Sequence, residues 1–173
     1  MSPELITPFA TVTGAIIGIG AGLLAERLRW HRDKEKDRIQ KRREVYPEFL
    51  MALSQSHSNM RSAVLQNGNP LETASFGALH EALDGSGIWR FRQSLSLTAP
   101  AEIIKLAVDT CSALTKMKDV LVERQDVTND AYLRARADLW RINADLREAM
   151  RRDLGMNGPP DPDVGRYYYP TPP

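Results

Sequence analysis

The stretch LITPFATVTGAIIGIGAGLLA, residues 5–25, contains no charged side chain, and ERLRWHR follows it at residues 26–32. At the rise of an α-helix, 21 residues span about 30 Å, the thickness of the hydrocarbon core of a bilayer. The pattern therefore predicts a transmembrane helix over residues 5–25, after a short extracytoplasmic N-terminus, residues 1–4. A buried helix of a soluble protein is the alternative interpretation.

The charges around this run predict its orientation. A cleaved signal peptide carries basic residues before its apolar run, whereas here they follow it, and no cleavage pattern is present. Because basic residues next to a span favour the cytoplasm, we expect a single-pass protein of the cell membrane with its N-terminus outside and its C-terminal domain in the cytoplasm. Arg27, Arg29 and Trp30 are the predicted membrane-interface residues, since indole rings and arginines settle at the headgroups.

Small residues recur at every fourth position of the predicted span, namely Ala10, Gly14, Gly18 and Gly22. This spacing places them on one face of a helix, where a second backbone can approach closely. Glycine is also common in spanning helices without any packing role. We expect this face to pack helices together and to form a homo-oligomer through the transmembrane helix.

The charge is unevenly distributed along the chain. Net charge is +1, yet residues 26–44 contain nine Lys or Arg and five Asp or Glu, a local excess of +4. The pattern predicts a charged juxtamembrane helix over residues 26–45, close to an anionic bilayer surface. Acidic residues interrupt the basic run and residues 45–173 sum to −2, so we expect no nucleic acid as a partner.

Residues 46–155 are predicted to form a small antiparallel helical bundle, so that the fold class is all-α. Pro47 should kink the helix or make it restart. Residues 88–97 fit either a strand or a helix, and a short helix with an extended end is favoured because a single strand has no partner. Tyr132 and Trp140 are expected in the core. Apolar residues at helical spacing and helix-ending residues predict helices at 47–66, 75–83, 100–124 and 128–154.

The last segment, residues 156–173, contains six prolines and is predicted to be a disordered tail. Its one aromatic cluster, Tyr167–Tyr169, is either a peptide docking motif or a solvated part of that tail.

Residues that carry chemistry are scattered. His80-Glu81-Ala82-Leu83-Asp84 has an aspartate where a zinc-binding H-E-x-x-H motif has its second histidine, so a surface helix is the expected interpretation. Cys111 lies on an apolar helix face and is expected to be a buried thiol. The sequence predicts no catalytic residue, no metal ligand and no cofactor.

The layout resembles an uncharacterised family of small bacterial single-pass membrane proteins. Their charged stalk, R-R-x-x-Y-x-x-F-L helix start and A-P-x-x-I/V helix correspond here to residues 30–43, 42–50 and 99–103, and their closing segment corresponds to Tyr132–Arg136 through Leu154-Gly155. Pro47, the Gly85–Gly87 turn and the proline-rich tail depart from the family pattern. The resemblance implies an architecture without a known activity.

These patterns favour a membrane-anchored helical scaffold or protein-interaction module, not an enzyme. Its expected partners are the lipid bilayer, further copies of itself and an unidentified protein. Two alternatives are a phage-type, holin-like membrane-active protein and an enzyme that uses the bundle as a cleft.

Overall fold

The computed structural model describes the backbone of residues 6–66, 76–156 and 158, and the side chains from residue 26 onward within these ranges except Leu28 and His31. The chain divides into two compact units, residues 1–40 and 41–173. Over the described residues the regular elements are helices, which confirms the all-α class. They are α1 (Ile6–Gln66), α2 (Phe76–Asp84), α3 (Ile88–Thr98), α4 (Ala101–Arg124) and α5 (Asp130–Asp153).

None of the helices within the described part of the chain is both long and apolar enough to cross a membrane. The predicted span, residues 5–25, lies outside the residues whose side chains are described. Residues 1–5, 67–75, 157 and 159–173 lie outside the described residues altogether, and they include the predicted extracytoplasmic N-terminus and most of the predicted tail.

The sequence predicts a kink or a restart of the helix at Pro47, and the restart is wrong because α1 continues through this residue. Proline removes one helical N–H donor and so frees the carbonyl four residues earlier, that of Arg43. Both Pro47 and Arg43 are exposed, so water can satisfy that carbonyl. The buried neighbours Tyr46 and Phe49 keep the helix packed on the bundle.

The ambiguous segment at residues 88–97 is helical, which confirms the favoured helix, but the extended end expected within it is wrong, because the helix runs through the whole segment. Helix α3 ends at Thr98, and Ala99 is extended with φ −91° and ψ 157°. Pro100 follows as the N-cap of α4 with φ −64°, close to the angle that its ring imposes.

Helices α4 and α5 pack as an antiparallel hairpin, as the sequence predicts. Gln125 ends α4 in the left-handed region with φ 50°, and its N–H donates to the Leu121 carbonyl at 2.9 Å. Asn129 starts α5, since its Oδ1 accepts a hydrogen bond from the Ala131 N–H at 2.8 Å.

The core of the unit 41–173 receives apolar side chains from all five helices. Tyr132 is 1% exposed, as expected, but the expectation for Trp140 is corrected, because this residue is only partly buried at the edge of the core. Its place on the helix wheel is between the core face and solvent. The fully enclosed side chains include Phe49, Leu53, Met60, Leu79, Ile88, Leu95, Leu114, Met117, Leu121, Leu139 and Leu146.

Candidate interaction surfaces

The predicted membrane-interface residues are all exposed. Arg27 and Arg29 extend into solvent, and Trp30 is 55% exposed. The Lys34 Nζ lies 3.7 Å from the centroid of the Trp30 ring, a cation–π contact. The segment therefore presents an indole beside several cations, which is the chemistry that an anionic lipid headgroup region binds.

The predicted helix-packing residues lie within α1, and they are Ala10, Gly14, Gly18 and Gly22. They precede the part of α1 whose side chains the structure describes. Helix geometry places them along one face. Their packing role stays a prediction.

Arg42 of α1 joins the C-terminal ends of α3 and α5. Its Nη1 donates to Asp153 Oδ1 at 3.0 Å and its Nε donates to the Thr98 carbonyl at 2.9 Å. Tyr46 completes the cluster, since its hydroxyl donates to Asp153 Oδ2 at 2.6 Å. The side chains of Arg42 and Asp153 are only 17% and 14% exposed. We call these four residues the Arg42 clamp.

The clamp balances charge at the end of a helix. A carboxylate at a helix C-terminus opposes the helix dipole, and the Arg42 guanidinium supplies the compensating positive charge. Burial, and then the hydrogen bond to Asp153, raise the pKa of Tyr46 well above its usual range, so this hydroxyl stays a donor. Sequence spacing gives no signal for this cluster, because its members are far apart in the chain.

His57 occupies the contact between α1 and α5. Its ring meets Trp140 edge to face with centroids 5.3 Å apart, and its Nε2 lies 3.2 Å from the Tyr132 hydroxyl. Burial, and then the positive charges of Arg136 and Arg61, lower the pKa of His57 to about 4. His57 is therefore a neutral, structural histidine at neutral pH.

The surface around this contact is rich in arginine. Trp140, Arg147 and Arg151 share a face of α5, because seven and eleven residues correspond to about two and three turns. Arg151 Nε lies 3.9 Å from Glu148 Oε2, the carboxylate at the border of this face. We call this surface the α1/α5 seam, and it consists of His57, Arg61, Arg136, Trp140, Arg147 and Arg151.

A second surface lies between α4 and α5. It is an open groove of about 610 Å³ in which apolar floor residues are flanked by charges of both signs. We call it the α4/α5 groove, and its lining residues are Leu106, Asp109, Ser112, Ala113, Lys116, Ala135, Asp138, Arg141, Ile142 and Asp145.

The motif around His80 forms an exposed polar cluster. His80 Nε2 lies 3.3 Å from Asp84 Oδ2, and Asp84 Oδ1 accepts a hydrogen bond from Trp89 Nε1 at 2.6 Å. Phe76 stacks on His80 with centroids 5.9 Å apart. No group of three His, Cys, Asp or Glu side chains suited to a metal occurs within the described ranges. The arrangement is that of a surface helix, as the sequence predicts.

Cys111 is buried, as expected, at 2% exposure. Burial raises the pKa of its thiol to about 11, so the reactive thiolate is scarce at neutral pH.

Comparisons of the chain with family models, curated proteins and solved structures gave no match. The resemblance to the bacterial membrane family stays a prediction.

Proposed function

We propose that this chain is a single-pass membrane protein whose cytoplasmic helical unit binds other proteins. In this proposal, residues 5–25 span the bilayer, residues 26–45 form the juxtamembrane helix, and the unit 41–173 presents the binding surfaces. Copies associate through Ala10, Gly14, Gly18 and Gly22. The layout of the uncharacterised bacterial family is consistent with this assignment.

The observation that carries the proposal is the change at residue 26 from an uncharged run to a basic segment with an exposed indole. Trp30 is 55% exposed beside Lys34, and Arg27 and Arg29 flank it. An exposed tryptophan costs free energy in water and gains it at a lipid headgroup, where its ring is shielded and its N–H stays hydrated. The alternation of cations around it supports binding to anionic lipid.

The Arg42 clamp supports a scaffold role for the helical unit. A half-buried charge pair is sensitive to geometry, because misplacing one partner leaves the other desolvated and unpaired. The clamp therefore holds the 41–66 part of α1 in one position against α3 and α5. A fixed arrangement of helices keeps binding surfaces in a defined shape, which lowers the entropy cost of binding.

The α4/α5 groove supports protein binding. Its floor contains the small residues Ala113 and Ala135, over which another helix or an extended peptide can lie closely. The rim of the groove carries both signs of charge, because it contains Lys116 and Arg141 as well as three aspartates. A rim of this kind selects partners by charge while contributing little affinity.

Cysteine labelling tests the membrane assignment in the full chain. With Cys111 replaced by alanine, one cysteine is placed at Ser2 and, in a second variant, at the exposed Ser54. We expect an impermeant maleimide to label the Ser2 variant on intact cells, and to label the Ser54 variant only after lysis. Alkaline carbonate extraction should leave both variants in the membrane pellet.

Two results would contradict the assignment. Recovery of the chain in the carbonate supernatant would show that residues 5–25 do not span. Labelling of the Ser54 variant but not the Ser2 variant on intact cells would show the opposite orientation.

A further inference from the structure

Both ends of the hairpin define how α4 and α5 align. At one end, Arg152 Nη2 of α5 lies 3.4 Å from Glu102 Oε1 of α4. At the other end, Arg124 is the last residue of α4 and Asp130 is the first residue of α5. Because the two helices are antiparallel and rise equally per residue, counting inward by equal steps from these pairs identifies residues at the same level.

This alignment separates the charges along the α4/α5 groove. Asp109 and Asp145 line the groove at the same level and form its acidic end. Lys116 lies about 10 Å further along α4, and Arg141 lies about 6 Å further along α5. These two cations form the basic end of the groove, which also contains Asp138.

The charges of the groove are exposed and poorly neutralised within the chain. Arg141 Nη2 lies 3.9 Å from Asp138 Oδ1, but the two side chains are 68% and 69% exposed, so water screens this pair. Among the residues that the structure describes, Asp109, Lys116 and Asp145 form no ion pair. A partner of this groove therefore needs a cation at the acidic end and a carboxylate at the basic end.

Helix α4 itself carries this order of charges when its direction is reversed. We infer that the partner of the α4/α5 groove is the same groove of a second copy, with α4 of each copy lying antiparallel in the groove of the other. A two-fold axis then passes close to Ser112 and Ala113, halfway between Asp109 and Lys116. This inference rests on the proposed protein-binding role of the helical unit and names its partner, but it does not require the membrane anchor.

The two-fold arrangement pairs the charges of the two copies. Lys116 of the second copy lies between Asp109 and Asp145, while Asp109 of the second copy lies beside Lys116 and Arg141. Each contact occurs twice, since an interface with two-fold symmetry uses the same surface on both partners. Opposite charges placed in this way fix the register of the two copies.

The apolar residues of the groove fit the same register. Leu106 of the second copy comes to the level of Ala135, whose small side chain leaves room for it. Ile142 comes to the level of the small residues Ser112 and Ala113 of the second copy. Leu106, Ala135 and Ile142 are only partly buried within one chain, so this contact removes further apolar surface from water.

Crosslinking between copies of the full chain in detergent micelles tests the inference. With Cys111 replaced by alanine, Ser112→Cys places a single cysteine beside the two-fold axis, and a short bismaleimide joins two copies. Ser54→Cys, at an exposed position of α1, is the matched control. We expect crosslinking to be about fivefold faster for Ser112→Cys, because the two thiols are held close together.

Charge exchange provides the second measurement. Lys116→Asp or Asp109→Lys, each added to Ser112→Cys, should slow crosslinking by about threefold, as expected for a few exposed ion pairs. The two substitutions together restore opposite charges between copies, so the combined variant should crosslink faster than either single variant. Lys105→Asp reverses an exposed charge of α4 that does not line the groove, and it should leave the rate unchanged.

Two results would overturn the inference. Equal crosslinking rates for Ser112→Cys and Ser54→Cys would show that the groove does not face a second copy. A combined charge variant slower than both single variants would show that Asp109 and Lys116 do not meet across the interface. Carbonate extraction of the same variants tests the anchor separately, so retention in the membrane pellet together with equal rates would reject only the groove dimer.

Discussion

The guanidinium of Arg42 and the carboxylate of Asp153 lie 3.0 Å apart, although 111 residues separate them in the sequence. Asp153→Asn removes the negative charge and leaves the Arg42 cation half-buried without its counterion. We expect the free energy of unfolding of a fragment 41–173 to fall by about 1–3 kcal/mol, as for other charged hydrogen bonds. Urea denaturation followed by circular dichroism measures it.

The pair Arg152–Glu102 is a matched control for this substitution. It also links α5 to another helix, but its side chains are 59% and 66% exposed. Glu102→Gln should change the unfolding free energy by less than about 1 kcal/mol, since water screens an exposed pair. Equal losses of unfolding free energy for both substitutions would show that burial of the Arg42 clamp adds nothing to its stabilising effect.

His57 should make stability fall with acid. Its pKa is about 4 in the folded chain, below the ordinary value of 6.5. Between these pH values His57 is protonated in the unfolded chain and neutral in the folded chain. Unfolding therefore becomes easier as pH decreases. The contribution of His57 is complete above pH 6.5 and is lost progressively towards pH 4. Urea midpoints measured at several pH values test this.

His57→Gln is the control for that titration. The substitution removes the ionisable ring, so the slope of stability against pH between 6.5 and 4 should become shallower. Asp126, whose pKa is lowered chiefly by the hydrogen bond from the Thr128 side chain, does not affect this slope, because its stabilising contribution is lost only below pH 3.8. An unchanged slope in the glutamine variant would mean that His57 does not titrate in this range.

Leu114 lies at the centre of the bundle and is 0% exposed. Leu114→Ala should lower the unfolding free energy by about 2–5 kcal/mol, through lost burial and the cavity that remains. Leu97 is 83% exposed, so Leu97→Ala should have an effect below about 0.5 kcal/mol. Thermal and urea unfolding of the two variants compare them directly, and similar losses would contradict the assignment of the core.

The glycine face of the predicted span is tested in the membrane. Gly14→Ile with Gly18→Ile should separate packed backbones and remove the dispersion contacts that hold helices together in lipid. Ile17→Leu with Ile19→Leu keeps the apolar character off that face and serves as the control. A membrane reporter of self-association, applied to residues 1–45, should lose signal for the glycine pair alone. Equal signals from both variants would make the glycines incidental.

Local signals in the sequence predict most of the helices. Phe49 and Leu53 are four residues apart on one helical face and both are 0% exposed. Asn129 begins α5 as a capping residue should, with its side chain accepting a hydrogen bond from the Ala131 N–H. Such patterns depend on neighbours in sequence, so periodicity and capping chemistry are sufficient to predict where these helices lie.

Contacts between distant segments are not predictable in this way. In the sequence, Arg42 does not differ from the other basic residues of segment 26–45. Nothing in its local spacing indicates Asp153 as its partner. Trp140 shows the same limit, since its edge position depends on where His57 of α1 comes to lie. Pro47 indicates a break that does not occur, because an exposed carbonyl can be hydrated while the opposite face of the helix is packed.

The Arg42 clamp has a consequence for where the folded unit begins. A fragment that starts at Tyr46 keeps every fully buried apolar side chain of α1 in this unit, yet it lacks Arg42. Asp153 then faces the Tyr46 hydroxyl without a cation, and the Thr98 carbonyl loses its donor. The minimal autonomous unit is thus delimited by an electrostatic contact, four residues before the hydrophobic pattern starts.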